Sequence, residues 1–287
     1  MAKQTNSTRS IHVLVLAIAL TAVLPARAQN PWERLPDTPA LPKPERSGFV
    51  PVDGIRIWYA VYGHGSPVIL LHGGMANSNY WGLQIPALAP RFQVIVMDSR
   101  GHGRSTRNAE PITYHLMASD VLALMDALHI PKAAVVGWSD GAIIGLDIAI
   151  HHPDRLTKLF AFGANSDPGG VKSPDGNPIF TAYVTHTQLE YKNLSPTPGE
   201  FKIFHEQLNK MWNTEPNFSD AELRGITVPT WIVDGEHDEI IKRENTDHMA
   251  NLIPGAREVI LPRTSHFAFL QDPKQFNVTL LKFLSNP

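Results

Sequence analysis

The sequence contains no cysteine among its 287 residues. This absence excludes disulfide bonds, a thiol nucleophile and lipid attachment to a leader cysteine, so the folded chain depends on its core for stability. The chain also lacks an excess of charge of either sign, because 25 basic and 27 acidic side chains give a formal net charge of −2. Since nothing in that balance could neutralise a row of phosphates, the sequence predicts no nucleic-acid partner.

A hydrophobic run long enough to span a bilayer, roughly 20 residues, is also missing from the N-terminal region. The run that is present, Ile11–Leu24, follows two basic residues and precedes Ala26 and Ala28, which have the small-x-small spacing of a leader-peptidase site. Residues 1–28 are therefore predicted to be a cleaved signal peptide. The mature protein is expected to be periplasmic or secreted and to have no membrane span, with a retained N-terminal anchor as the alternative.

Two further parts of the chain follow this leader. Residues 29–47 are rich in proline and predict an extended linker on or beside the folded domain. Residues 48–287 are long enough for one sizeable core and predict a single domain with an insertion.

Short β-rich runs alternate with amphipathic helical segments within residues 48–287. This alternation predicts an α/β fold with a doubly wound, mostly parallel sheet. The first two runs, joined by a turn at Asp53–Gly54, are predicted to form an antiparallel edge. Between about 165 and 225 the strand signals disappear and helical pieces replace them. That stretch predicts a helical lid insertion over the carboxyl ends of the strands, where ligands bind in such sheets; a purely structural helical layer is the alternative.

The stretch Gly137–Gly141, with sequence GWSDG, follows one buried run and precedes a helix. Glycines near a strand end can be simple turn residues, so a lone G-x-S-x-G match is weak evidence. Three other polar segments, LLHGGM, DGEHD and TSHFAF, also follow predicted strands. The resulting chain order of serine, acid and histidine is the order expected of a Ser-acid-His triad on this sheet.

Each member of the predicted triad has a chemical reason for its residue type. Ser139 is the predicted nucleophile and needs a base to take its proton, which His266 can do. A carboxylate must hold the imidazole in the correct tautomer, and Asp234, Glu236 and Asp238 compete for that role. Asp238 is preferred because it lies a few residues past the strand end, where a loop can reach the histidine.

The remaining site predictions concern residues around the serine. The backbone N–H groups of Met75 and Asp140 are predicted to form an oxyanion hole, the second of them at the positive end of a helix. The side chains of Asp140 and Trp138 are candidate substrate contacts. No pair of histidines has a zinc spacing such as H-E-x-x-H, and His151 is explained by its place at a helix end, so no metal site is predicted.

Taken together, these blocks resemble the α/β-hydrolase fold superfamily from about Gly48 to the C-terminus, apart from the inserted lid. The resemblance implies a Ser139–Asp238–His266 triad, an oxyanion hole at Met75 and Asp140, and hydrolysis through an acyl-enzyme without a cofactor. The GWSDG block resembles the valacyclovir-hydrolase-like branch, in which an acid beside the nucleophile suits an amino-acid ester.

That resemblance leaves the substrate and the role of Asp140 open. Asp140 is expected either to pair with a substrate ammonium or to hydrogen-bond within its own turn. The expected activity is hydrolysis of a small carboxylic ester or lactone. An amide, an aminoacyl ester or a C–C bond as the target, and a non-catalytic binding protein on the same scaffold, are the alternatives.

Overall fold

The computed structural model describes Met1, Ala2, Gln4 and residues 30–285. The rest of the predicted signal peptide, including its cleavage site, lies outside the described residues. Within the described part of the chain, no helix combines the length and apolar character needed to cross a bilayer.

One sheet of eight strands organises the described chain, in the spatial order β1-β2-β4-β3-β5-β6-β7-β8. β2 runs antiparallel to both of its neighbours, and the pairs from β4 to β8 are all parallel. The predicted α/β class with a mostly parallel sheet is therefore confirmed. The strands are β1 (Arg46–Val52), β2 (Ile55–Tyr62), β3 (Ser66–Leu71), β4 (Phe92–Met97), β5 (Ala133–Trp138), β6 (Leu156–Phe162), β7 (Thr230–Gly235) and β8 (Arg257–Leu261).

The hairpin between β1 and β2 has the turn that its sequence predicts. Asp53 and Gly54 both adopt a positive φ, 41° and 79°, as the two central residues of a tight hairpin turn require. β1 begins at Arg46, two residues inside the predicted linker, because residues 46 and 47 pair with β2.

Helices cover both faces of the sheet and the carboxyl ends of its strands. All six residues of β5 are buried, as expected of a strand covered on both faces. The helix that follows it, α3, is buried over its first ten residues. The helices are α1 (Ile85–Leu88), α2 (Tyr114–Ala127), α3 (Asp140–His151), α4 (Pro178–Leu194), α5 (Phe201–Trp212), α6 (Asp220–Gly225), α7 (Arg243–Leu252), α8 (Ala268–Gln271) and α9 (Pro273–Ser285).

The insertion between β6 and β7 holds the helices α4, α5 and α6, and we call the first two, α4 and α5, the lid helices. α5 is strongly amphipathic, and Phe204 and Leu208 on its apolar face are fully buried. α4 is fixed to the loop after β3 by a hydrogen bond of 2.5 Å from the Tyr183 hydroxyl to the Gly74 carbonyl. The lid helices thus lie directly above the carboxyl ends of the central strands.

Candidate active site

Ser139 occupies a strained turn between the end of β5 and the start of α3. Its backbone has φ 54° and ψ −122°, a region that costs a residue with a side chain about 1–3 kcal/mol. The surrounding backbone holds this conformation, because the Ser139 N–H donates to the Phe162 carbonyl at 2.8 Å and its carbonyl accepts from the Ala142 N–H at 2.8 Å. The turn presents the half-buried serine side chain at the carboxyl edge of the sheet.

The two glycines that frame this turn are required by close backbone packing. A Cβ on Gly137 would overlap the Gly141 carbonyl and the Ala142 nitrogen, and a Cβ on Gly141 would overlap the Leu71 carbonyl. These clashes involve backbone atoms, which cannot rotate away as a flexible side chain could. The glycines of the motif therefore serve the serine turn specifically and are not simple turn punctuation.

We expect Gly137→Ala to lower the free energy of unfolding by about 3 kcal/mol or more, because overpacked positions without room for adjustment are strongly destabilised. Urea unfolding followed by circular dichroism measures this difference. Gly199→Ala is the matched control: a Cβ there meets nothing within 4 Å, so the change should stay within about 1 kcal/mol. Equal effects of the two substitutions would contradict the packing explanation.

The acid that contacts His266 is Asp238. The Asp238 Oδ2 lies 2.7 Å from the His266 Nδ1, and its Oδ1 accepts hydrogen bonds from the backbone N–H groups of Ile240 and Ile241 at 2.7 and 2.6 Å. Both side chains are buried. The carboxylate therefore has a fixed orientation, and it favours the imidazole tautomer that carries its proton on Nδ1.

The two other candidate acids, Asp234 and Glu236, form hydrogen bonds with other groups. Asp234 is buried, and its carboxyl accepts hydrogen bonds from the Gly235 N–H at 2.8 Å and the Thr246 hydroxyl at 2.9 Å. Burial and the neighbouring Asp238 charge raise the pKa of Asp234 well above its ordinary value. Glu236 accepts a hydrogen bond from the Arg263 N–H at 2.7 Å, on an exposed part of the loop.

A cavity of about 360 Å³ lies between the serine turn and the lid helices. Ser139 and His266 both line this cavity. The Ser139 hydroxyl forms no hydrogen bond within residues 30–285, and its bond to the imidazole stays a prediction; such bonds commonly tighten when a substrate binds. Apolar side chains form much of the lining: Met75, Trp138, Phe180, Tyr183, Trp212, Ile240, Ile241 and Phe267.

Two backbone N–H groups stand beside the serine turn as predicted oxyanion donors. Met75 adopts a positive φ of 62° in the loop after β3, where the Ala76 N–H closes a turn onto the Gly73 carbonyl at 3.2 Å. Asp140 is the first residue of α3, so its N–H has no partner within the helix. Within residues 30–285, neither N–H donates to another backbone carbonyl, and both residues line the cavity.

The Asp140 carboxylate has partners from outside its own turn. It accepts hydrogen bonds from the Trp212 indole, at 3.0 Å to each oxygen, and from the Tyr114 hydroxyl at 2.9 Å. Burial raises the pKa of Asp140 to about 6, although these hydrogen bonds and the charge of His266 act to lower it. Because Trp212 belongs to α5, the residue next to the candidate nucleophile is tied directly to the lid.

Trp138, the other neighbour of the serine, forms an apolar wall of the cavity. It is fully buried, and its indole ring lies 5.8 Å from the His266 ring and 4.7 Å from the Phe269 ring, measured between centroids. It can therefore present an apolar surface to a substrate and restrict movement of the imidazole.

Charged groups around His266 raise the pKa of its imidazole. Burial lowers the pKa of His266, but the charge and hydrogen bond of Asp238, together with charges on Glu239 and Asp140, outweigh burial and raise that pKa above its ordinary 6.5. Burial conversely raises the pKa of Asp238, and the interactions with His266 outweigh it, so the pKa of Asp238 falls to about 2. Asp238 is therefore ionised throughout the neutral range.

We expect the acid limb of the pH dependence of kcat/KM to lie above pH 6.5. A general base works only in its neutral form, and the raised pKa of His266 means that the imidazole becomes protonated at a higher pH than an ordinary histidine. Initial rates on an uncharged ester between pH 5 and 9 measure this limb. A rate that stayed constant down to pH 5 would contradict the role of His266.

The proline-rich segment supports the loops that carry the candidate base and acid, which the sequence did not indicate. The Trp32 ring stacks on the His237 ring with centroids 4.1 Å apart. The Gln271 amide donates to the Arg34 carbonyl and to the Ser265 hydroxyl, both at 2.9 Å, and accepts from the Ser265 N–H at 2.8 Å. His237, next to the acid Asp238, and Ser265, next to the base His266, are therefore both held in place by contacts that involve the proline-rich segment.

Comparison with known proteins gives one family. Residues 66–181 match the family model of the alpha/beta hydrolase fold. The provisionally named carbamate hydrolase RutD of Azorhizobium caulinodans is 38% identical over 249 residues, which cover 79% of this chain and 94% of that protein. A 2-hydroxy-6-oxo-6-(2'-aminophenyl)hexa-2,4-dienoic acid hydrolase of Metapseudomonas resinovorans is 27% identical over 262 residues, covering 83% and 90%.

A solved structure agrees with these relatives. Est816, described as an N-acyl homoserine lactone degrading enzyme, superposes with a TM-score of 0.67 at 28% identity, covering 82% of this chain and all of the other. The sheet order, the serine turn and the extent of these matches have a single explanation: the chain belongs to the α/β-hydrolase fold family.

Proposed function

We propose that this protein is a serine hydrolase that cleaves a small carboxylic ester or lactone through an acyl-enzyme. One observation carries the proposal: Ser139, on its strained turn, lines the same cavity as His266, whose Nδ1 is held by the Asp238 carboxylate. A hydroxyl, an imidazole and a carboxylate in this order are the groups that acyl transfer needs.

The proposed reaction has two steps, formation of the acyl-enzyme and its hydrolysis, and His266 accepts and returns a proton in each. The Ser139 hydroxyl attacks the substrate carbonyl while His266 Nε2 takes its proton, and Asp238 stabilises the imidazolium that forms. The N–H groups of Met75 and Asp140 donate to the oxyanion. His266 then gives the proton to the leaving alkoxide, and a water molecule, activated by the same imidazole, hydrolyses the acyl-enzyme.

The size and lining of the cavity support a small, largely apolar substrate. A volume of about 360 Å³ lies at the lower end of the range for small-molecule sites. Of the relatives, Est816 is described as acting on a lactone, and a lactone presents the same carbonyl chemistry as an open ester.

A panel of substrates tests the proposed specificity. Purified enzyme is assayed with p-nitrophenyl esters of increasing acyl length, an acyl homoserine lactone, aminoacyl amides and a carbamate. We expect the highest kcat/KM on short or medium acyl esters or on the lactone. Turnover of amides or carbamates without turnover of esters would contradict the proposal.

A second candidate, cleavage of an activated C–C bond or an amide by the same residues, is favoured by the names of the relatives, which include a dienoic acid hydrolase. The same panel distinguishes it when a vinylogous 1,5-diketone acid is added. Rapid loss of that compound's absorbance, with slow ester turnover, would favour this candidate over the first.

We also propose that the enzyme acts outside the cytoplasm, because residues 1–28 have the composition and cleavage pattern of a signal peptide. Expression of the full chain in a Gram-negative host, followed by periplasmic fractionation and N-terminal sequencing, tests this. We expect a mature protein that begins at Gln29. A chain that keeps its leader in the membrane fraction would instead indicate an N-terminal anchor.

A further inference from the structure

Away from the cavity, two neighbouring helices bring His115, Asp147 and His151 together. His115 lies in the first turn of α2, and Asp147 and His151 are one turn apart near the end of α3. The His115 Nδ1 is 3.1 Å from the Asp147 Oδ1, and the His151 Nε2 is 3.9 Å from the Asp147 Oδ2. One nitrogen from each ring and one carboxylate oxygen all lie within 4.8 Å of one another.

The carboxylate at the centre of this cluster is buried without a fully charged partner of its own. The Asp147 side chain is 6% exposed, whereas those of His115 and His151 are 67% and 41% exposed. Within residues 30–285, its one hydrogen bond is to the His115 ring. Burial raises the pKa of Asp147, although the nearby histidines act to lower it. Buried carboxylates are normally balanced by a cation or coordinate a metal.

We propose that His115, Asp147 and His151 bind one divalent transition-metal ion, for which Zn²⁺ is the reference, and that the ion links α2 to α3. Two imidazoles and one carboxylate are ligands that Zn²⁺ accepts, whereas Ca²⁺ and Mg²⁺ prefer oxygen alone. Water would complete the coordination sphere. The site is distinct from the cavity and takes no part in the proposed hydrolysis.

The geometry needs only a small adjustment to close around an ion. Donor atoms on one tetrahedral Zn²⁺ are about 3.4 Å apart, given metal–ligand distances of about 2.1 Å. The His115 Nδ1 lies 3.1 Å from Oδ1 of Asp147 and the His151 Nε2 lies 3.9 Å from Oδ2, while the limit for all three donor atoms is 4.8 Å. The wider separations must therefore shorten by about 0.5–1.4 Å. Both imidazoles can make that movement, because the side chains of His115 and His151 are partly exposed.

The sequence predicted no metal site, and the present proposal rests on a juxtaposition of two helices that spacing along the chain does not reveal. Asp147 and His151 have a D-x-x-x-H spacing that places both on one face of α3. The third ligand comes from α2, 32 residues away from Asp147 along the chain. Because α3 rises about 1.5 Å per residue, His151 is about 16 Å from the serine turn along the helix axis.

Isothermal titration with ZnCl₂ after chelator treatment, combined with thermal unfolding, tests the proposal on the full-length mature protein. We expect binding of one ion per chain and a rise in Tm of about 5 °C or more at a 100-fold excess over Kd. Hydrolysis of p-nitrophenyl esters should change by less than about twofold on addition of the metal, because the site lies outside the cavity.

The variants separate this site from adventitious binding. His115→Ala and His151→Ala should each abolish the one-to-one binding and the rise in Tm, and both should fold, because the two side chains are exposed. His64→Ala is the matched control, since His64 is an exposed imidazole beside a carboxylate, 3.6 Å from Glu45, without a second imidazole in its pair; it should bind Zn²⁺ like the wild type.

Two outcomes would overturn the proposal. One is the absence of stoichiometric binding by the wild type. The other is stoichiometric binding that persists in the His115→Ala, His151→Ala double variant, which would place the ion elsewhere, for example at His266. Ester hydrolysis by the double variant should stay within about twofold of the wild type. Absence of ester hydrolysis in the wild type bears on the proposed function alone, so failure of either proposal is distinguishable from failure of the other.

Discussion

Ser139→Ala is expected to lower kcat on a p-nitrophenyl ester by a factor on the order of 10⁵ or more. The substitution removes the only atom that can form the acyl-enzyme, while the N–H donors of Met75 and Asp140 belong to the backbone and stay in place. A small residual rate should therefore remain from oxyanion stabilisation and substrate binding alone. Burst kinetics, which report the acyl-enzyme directly, should disappear entirely.

Two measurements distinguish loss of the nucleophile from loss of the folded structure. Alanine has the same Cβ as serine, so it fits the serine turn with the backbone strain unchanged, and the Tm should stay close to that of the wild type. Labelling by a fluorophosphonate probe should be lost in Ser139→Ala and retained in Ser173→Ala, which removes another hydroxyl that lines the same cavity. Labelling that survived in Ser139→Ala, or ester turnover at wild-type rates, would contradict the nucleophile assignment.

Much of the fold could be predicted because its signals are local. The run that became β5 is apolar at nearly every position, as a strand covered on both faces requires, and the turn at Asp53–Gly54 has the residue types that a tight hairpin turn requires. Chain order then placed the serine, acid and histidine segments after β5, β7 and β8. Ends of parallel strands meet at one edge, so convergence of these segments followed from topology alone.

What the sequence left open depends on contacts between distant segments. Asp140 was expected to meet a substrate amine or its own turn, yet its carboxylate is held by Tyr114 from α2 and Trp212 from the lid. Similarly, nothing local to Asp147 indicated His115. These partners are determined by how the helices pack on the sheet. Packing brings together residues that are far apart in the sequence, and no local periodicity indicates which ones will meet. The contact of Asp238 with His266 could be anticipated because loop length, a local property, limits which acid can reach the histidine; its role in a triad stays a prediction.

Asp238→Asn is expected to lower kcat by about 10⁴ with little effect on folding. The reason lies in the fixed neighbours of this side chain. The N–H groups of Ile240 and Ile241 both donate to Oδ1, so an asparagine must place its amide oxygen there. Its NH₂ group then faces the His266 Nδ1, which is forced to accept a hydrogen bond. The neutral imidazole consequently carries its proton on Nε2, the atom that must take the proton from Ser139.

The matched control is Asp234→Asn, at the buried acid near the end of β7, four residues before Asp238. Burial and the charge of Asp238 raise the pKa of Asp234 well above its ordinary value, which favours its uncharged form. An asparagine has the same shape and no charge, and it leaves the Asp238 carboxylate on the His266 Nδ1 in place. We expect Asp234→Asn to keep kcat within about tenfold, at the scale of a lost structural hydrogen bond. Stopped-flow assays on a p-nitrophenyl ester compare the two variants. If Asp234→Asn lost as much activity as Asp238→Asn, both losses would have to come from local disruption of the structure, and the tautomer argument would fail. If only Asp238→Asn loses activity, the hydrogen bond from the His266 Nδ1 to the carboxylate is what makes the imidazole a base.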